Sequence, residues 1–123
     1  MSASILVIED DVIIAEDLRA RLIDAGYDVV GIADRGERAL MLAEEKKPQV
    51  AIVDIMLKDA VDGISVGQYL SDRGVAVIHL TALFERALRE TRGYAVELLN
   101  KPFTDQELLS AVEKALRSRS AGA

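Results

Sequence analysis

The chain contains no cysteine, which excludes disulfides, thiolate metal sites and a cysteine nucleophile. Positive charge is also short: 15 Lys and Arg stand against 21 Asp and Glu, for a net charge of −6. That balance repels nucleic-acid phosphates and anionic lipid headgroups, so neither nucleic acid nor membrane is an expected partner. The longest apolar runs, such as residues 5–8 and 75–78, fall far below the roughly 20 residues that span a bilayer. The start, Met1-Ser2-Ala3-Ser4, lacks the basic residues and apolar stretch of a signal peptide, and a cytoplasmic location is expected. There is no internal repeat or low-complexity segment, and only residues 118–123 read as a tail. What remains, 123 residues of which 50% are hydrophobic and 29% charged, suits one compact domain with a real core and no second folded domain.

Short β-branched runs alternate with stretches of helical spacing five times along the chain. Strands are predicted over residues 4–8, 28–33, 49–54, 75–80 and 95–100, mostly apolar without polar alternation, the pattern of parallel strands buried on both faces. Between them, Ile14, Leu18 and Leu22 lead to Gly26, Leu40 and Ala43 stop before Pro48, and Ile64, Gly67 and Leu70 lead to Gly74. These are crossover helices. The last helix opens on a capping box, Thr104 with Glu107, and buries Leu108, Leu109, Val112 and Leu116. The fourth crossover, residues 83–92, carries a narrow stripe of Phe84, Ala87 and Leu88 among charges and predicts a short helix. The expected class is therefore α/β: a doubly wound, flavodoxin-like parallel sheet of five strands with five helices.

In such sheets ligands bind beyond the carboxyl ends of the strands. The first strand ends in Glu9-Asp10-Asp11, the third in Asp54, the fourth in Thr81 and the fifth in Lys101-Pro102. Carboxylates crowded at one edge repel one another unless a cation or protons lie between them. With oxygen ligands alone, a hard ion that keeps its waters is expected, Mg²⁺ rather than Zn²⁺, held by Asp10 and Asp54. For those two to converge, the first and third strands must be neighbours, which with right-handed crossovers favours the order 2-1-3-4-5. Lys101 supplies a positive charge and Thr81 a hydroxyl, a set that suits a phosphoryl group, with Asp54 as the nucleophile that would become an aspartyl phosphate.

Five segments, Ile5-Leu6-Val7-Ile8-Glu9-Asp10-Asp11, Val53-Asp54-Ile55-Met56-Leu57, Asp62-Gly63, Leu80-Thr81-Ala82 and Lys101-Pro102-Phe103, stand in an order and spacing that resembles the receiver domains of bacterial two-component response regulators. The resemblance implies that Asp54 is the phosphoacceptor, that Asp10, Asp54 and the Met56 carbonyl bind Mg²⁺, and that Glu9 acts through a metal-bound water. It implies that Asp11 opens the first helix, that Thr81 hydrogen-bonds the phosphoryl group and moves toward it, that Lys101 pairs with it, and that the Lys101-Pro102 bond is cis. The implied partner is a sensor histidine kinase or histidine phosphotransfer protein. A stand-alone receiver without an output domain is expected, signalling by protein contact or serving as a phosphate sink, and not an enzyme with substrate turnover.

Departures from the family pattern are specific. Asp54 lies one residue farther from Asp62-Gly63 than is commonest, and Lys58 stands where proline often follows, so the loop over residues 58–61 is expected to be unusual. Thr81 and Lys101 are 20 positions apart, about two fewer than in many receivers, which shortens the fourth helix. Leu98 occupies the position of a usual Tyr or Phe, so the ring rotation that accompanies threonine movement in the family has no counterpart there. These features resemble the atypical receivers of alphaproteobacterial stress signalling.

Other functions compete. A flavodoxin-like cofactor module would place a Ser/Thr/Gly-rich phosphate loop after the first strand, where three carboxylates stand. A phosphatase with an aspartate nucleophile would usually carry a second acid two residues on, where Met56 is found. A phosphorylation-independent protein-binding module is compatible with Leu98 and the short fourth crossover. His79, the only histidine, reads as a core residue, and Arg86, Arg89 and Arg92 as a solvated face with Glu85 and Arg89 paired.

Overall fold

The computed structural model describes residues 2–57 and 62–121. Along the chain run β1 (Ser4–Ile8), α1 (Val12–Asp24), β2 (Asp28–Ala33), α2 (Gly36–Lys46), β3 (Val50–Asp54), α3 (Gly63–Asp72), β4 (Ala76–Thr81), α4 (Phe84–Glu90), β5 (Ala95–Asn100) and α5 (Asp105–Ala121). The strands form one parallel sheet in the order β2-β1-β3-β4-β5, the flavodoxin-like arrangement. β1 and β3 are neighbours, with Ile8 opposite Val53, so the residues that follow them, Glu9 and Asp54, emerge side by side.

Side chains alternate between the two faces of a strand. Ile5, Val7, Val50, Ile52, Ile78 and Leu80 meet Leu18 and Leu22 of α1 and Leu108 and Val112 of α5. On the other face, Leu6, Ile8, Ala51, Val53 and Val77 meet Leu42 of α2 and Val66 and Leu70 of α3. The central strands β1, β3 and β4 are buried on both faces. The expectation of two-faced burial fails for β2 and β5, which are the sheet edges and only half-buried along most of their length.

Capping residues fix where the helices start beside the carboxyl edge. Asp11 accepts hydrogen bonds from the Ile13 and Ile14 amides at 2.9 and 3.2 Å, and Asp62 accepts from the Ser65 amide at 2.7 Å. The capping box is reciprocal: Glu107 accepts from the Thr104 amide at 2.9 Å and Thr104 from the Glu107 amide at 3.1 Å.

Several boundaries differ from expectation. β3 begins at Val50 and β4 runs from Ala76 to Thr81, one residue later than predicted; the Val75 amide is used by the Leu70 carbonyl of α3, while Gln49 bonds to Ser4 and Ala76 at the very edge of the ladder. The fourth crossover carries the short helix expected of it, Phe84–Glu90, but its i,i+4 ion pair is Arg86–Glu90 at 2.9 Å rather than Glu85–Arg89. Residues 118–121, expected as part of a tail, belong to α5, which continues to Ala121. The expected unusual loop at 58–61 lies outside the described residues.

Candidate phosphoacceptor pocket

Glu9, Asp10 and Asp54 come together at the carboxyl edge of the sheet, each offering an oxygen within 4.8 Å of the others. Glu9 and Asp54 are buried, at 1% and 5% exposure, while Asp10 lies at the rim. Lys101 enters from the end of β5 and places Nζ between them, donating to Asp54 Oδ2 at 3.0 Å and Glu9 Oε1 at 3.2 Å. The second Asp54 oxygen accepts from the Met56 amide at 2.9 Å. Met56 thus approaches through its main chain while its side chain is exposed. The Lys101-Pro102 peptide is cis, and the Lys101 amide donates to the Thr81 carbonyl at 2.8 Å, fixing the β4 and β5 ends to each other.

The electrostatics follow from this crowding. Burial, then a hydrogen bond with Asp54, pushes the Glu9 carboxyl up to about 7, so near neutrality Glu9 is in part protonated. For Lys101 burial works against the charge, but hydrogen bonding and attraction from Asp54, and then Glu9, outweigh it and hold the ammonium above its ordinary value.

Thr81 is buried at the end of β4. Its hydroxyl oxygen accepts from the Leu83 amide at 2.9 Å, and Leu83 is the residue on which α4 starts, without a side-chain cap of its own. The hydroxyl is therefore tied to the first turn of α4. Leu98, opposite His79 in the β4–β5 ladder, offers no polar atom that could accompany it.

His79 is fully buried, as expected of a core residue. Sequence reasoning did not find its partner: Tyr94, at the turn before β5, whose hydroxyl is 2.8 Å from His79 Nε2. Burial pushes the His79 imidazole down to about 4. Between 6.5 and about 4 the unfolded chain binds a proton that the folded chain refuses, so this contribution to stability is complete above 6.5 and is lost as pH falls through that window. The loss amounts to about 3 kcal/mol at its limit. Urea titrations at pH 7 and 4.5 are expected to show a larger acid loss for the wild type than for His79→Gln, which keeps a donor and an acceptor but does not titrate; equal losses would contradict a neutral buried imidazole.

A doubly wound sheet carrying this pocket at its carboxyl edge is a signalling domain of the phosphoacceptor kind. The chain belongs to the response regulator receiver domain family of two-component systems, whose family model matches residues 5–113. It is 36% identical over 118 residues to the phyllosphere-induced regulator PhyR of Methylorubrum extorquens, covering 94% of this chain and 44% of that protein. It is 35% identical over 115 residues to the transcriptional regulatory protein PdtaR of Mycobacterium tuberculosis, covering 91% and 56%. The crystal structure of the response regulator PhyR from Brucella abortus superposes with a TM-score of 0.87 at 34% identity, over 99% of this chain and 51% of that one. The chain thus spans about half the length of these relatives, and PhyR-type receivers fit the atypical features of the sequence. None of the helices among the described residues is long and apolar enough to cross a membrane.

Proposed function

We propose that Asp54 takes a phosphoryl group from a phosphohistidine on a sensor histidine kinase or histidine phosphotransfer protein in the cytoplasm. The domain then signals by protein contact or drains phosphoryl groups from the kinase as a sink. The observation that carries this reading is Lys101 Nζ held between Asp54 and Glu9 at 3.0 and 3.2 Å in a pocket whose third acid is Asp10. An Asp54 oxygen attacks phosphorus, the phosphorus–nitrogen bond breaks with its electron pair going to the imidazole, and an oxygen–phosphorus bond forms. Lys101 follows the group as a counter-charge. The Thr81 hydroxyl accepts from Leu83 and keeps its own hydrogen for a phosphoryl oxygen. Hydrolysis reverses the charge change: water attacks phosphorus and Asp54 leaves as a carboxylate. On this reading the domain assists its own phosphorylation and dephosphorylation without turning over a separate substrate.

An oxygen-only cluster of three carboxylates, one of them at the rim, fits Mg²⁺. Asp10 and Asp54 would hold it directly with the main chain of Met56, and Glu9 through water. Bound there, Mg²⁺ neutralises charge on the transferred oxygens. Lys101 competes with any such cation, so Lys101→Ala is expected to bind Mg²⁺ at least about tenfold more tightly, because deleting a unit charge a few ångströms away removes a repulsion of several kcal/mol even at a dielectric near 20. Thermal shift against Mg²⁺ concentration measures this; unchanged half-saturation would place the ion elsewhere.

Intact mass after incubation with acetyl phosphate, with and without Mg²⁺, tests the central reading: one metal-dependent phosphoryl addition is expected. A second reading, a protein-binding module indifferent to phosphorylation, draws on Leu98 and on the exposed Leu83, Phe84 and Leu88 around α4. A chain that stays unmodified by acetyl phosphate and by a panel of kinases favours it.

A further inference from the structure

Among the described residues, His79 is the buried titratable side chain that the phosphoryl chemistry does not use. It faces α3 from β4 and stands opposite Val53 in the β3–β4 ladder. Its Nδ1 is 2.9 Å from the Val53 carbonyl, one residue before the phosphoacceptor. A carbonyl only accepts, so Nδ1 carries the hydrogen, and in the neutral ring Nε2 is left as an acceptor.

The donor to Nε2 is Tyr94. Burial, then the charges of Asp62 and Glu90, push its phenol well above the ordinary value, so the hydroxyl keeps its hydrogen. That single hydrogen has two acceptors within reach, His79 Nε2 at 2.8 Å and the Ile64 carbonyl of α3 at 3.2 Å. It serves only one of them well, and the shorter contact is the resting one. Room for the arrangement comes from Gly67, where a Cβ would overlap His79 Nε2 and come within 2.9 Å of the Tyr94 ring. Tyr94 also sits where α3 and the exit from α4 meet β5: the Ser71 hydroxyl approaches its carbonyl at 3.5 Å, and its amide lies 3.4 Å from the Thr91 carbonyl.

We propose that Tyr94 is a two-position hydrogen-bond switch, its hydroxyl passing from His79 to the Ile64 carbonyl when Asp54 is phosphorylated. This rests on the phosphoacceptor reading of Asp54. The added charge draws Thr81, and with it the end of β4 that carries His79 two residues earlier. α3 is anchored on the exit of β3, by the Gly63 amide on the Ile55 carbonyl at 3.2 Å, and not on the part of β4 that carries His79. A shift of β4 of a few tenths of an ångström lengthens the bond to His79 while Ile64 stays in place, and the hydrogen follows the better acceptor. The state of the pocket thereby reaches α3 and the turn after α4 by a route that needs no aromatic at position 98.

A single histidine makes the test direct. Imidazole ¹⁵N and amide NMR spectra are recorded for the wild type and Tyr94→Phe before and after phosphorylation by acetyl phosphate and Mg²⁺, with intact mass measured on the same samples. The expected result is a wild-type His79 Nε2 signal that moves toward the value of an acceptor without a donor. Amide shifts at residues 64–67 and 91–95 accompany it, and in Tyr94→Phe, phosphorylated to the same extent, they fall by more than half. A phosphorylated wild type whose Nε2 signal stays in place overturns the switch and leaves the phosphoacceptor reading standing, as does a Tyr94→Phe response equal to the wild type. A wild type that takes up no phosphoryl group overturns both.

Discussion

Asp54→Ala is expected to take up no phosphoryl group under conditions that label the wild type fully. Both oxygens of the Asp54 carboxylate are engaged, one by the Lys101 ammonium at 3.0 Å and the other by the Met56 amide at 2.9 Å. The carboxylate is thereby aimed as well as buried, and a positioned nucleophile gains most of what an intramolecular reaction gains. Alanine offers no oxygen at that place. The loss is not expected to come from unfolding. Glu9 is pushed up to about 7 by burial and then by Asp54, so removing Asp54 deletes a hydrogen bond and a repulsion that raise it. Its pKa moves down, its charge becomes easier to hold, and it keeps Lys101 as its counter-ion at 3.2 Å. A urea midpoint at or above that of the wild type is therefore expected alongside the absent mass shift. Labelling of Asp54→Ala at the wild-type level would move the acceptor to another carboxylate of the cluster, Glu9 or Asp10.

The sequence made this pocket legible because its parts are the residues that end strands. Apolar runs locate β1, β3, β4 and β5, and once the order 2-1-3-4-5 follows from crossover handedness, the residues next along must meet at one edge. Glu9, Asp10, Asp54 and Lys101 do so. Thr81 is tied by its hydroxyl to the Leu83 amide, a local contact that residue types do not announce. What stayed hidden depends on tertiary packing. Val75 looks like a strand residue, yet its amide is taken by the Leu70 carbonyl of α3. The edge position of β2 and β5 exposes side chains whose apolar character suggested burial. The His79–Tyr94 pair joins positions 15 apart in sequence, across a crossover that gives no periodic signal. A lone histidine in an apolar strand says only that it is buried. Gly67 was the one available hint, since its lack of a side chain faces that pair.

Gly63→Ala is expected to be the most damaging conservative substitution at the edge of the pocket. Gly63 is the first residue of α3, capped by Asp62, and it lies directly on the backbone that leaves β3. A Cβ there would overlap the Asp54 carbonyl oxygen and stand 2.7 Å from Ile55 Cα and 2.8 Å from the Ile55 carbonyl oxygen. All three are main-chain atoms, so no side-chain rotation relieves the contact, and either α3 or the end of β3 must move. Overpacking of side chains costs about 1–3 kcal/mol, and a rigid backbone neighbour puts this case at about 3 kcal/mol or beyond, a large part of a typical total of about 5–15 kcal/mol. At Gly67 the atoms in the way are the side chains of His79 and Tyr94, which can yield, so Gly67→Ala is expected to cost less. Urea titrations of the two variants rank them, and a Gly63→Ala midpoint equal to that of the wild type would show that the α3 start is not seated on β3. The same contact carries a functional consequence that stability alone does not. Asp54 lies on one of the two segments that can yield, so Gly63→Ala is expected to label more slowly with acetyl phosphate even at temperatures where it remains folded, as its carboxylate loses the alignment that Lys101 and the Met56 amide enforce.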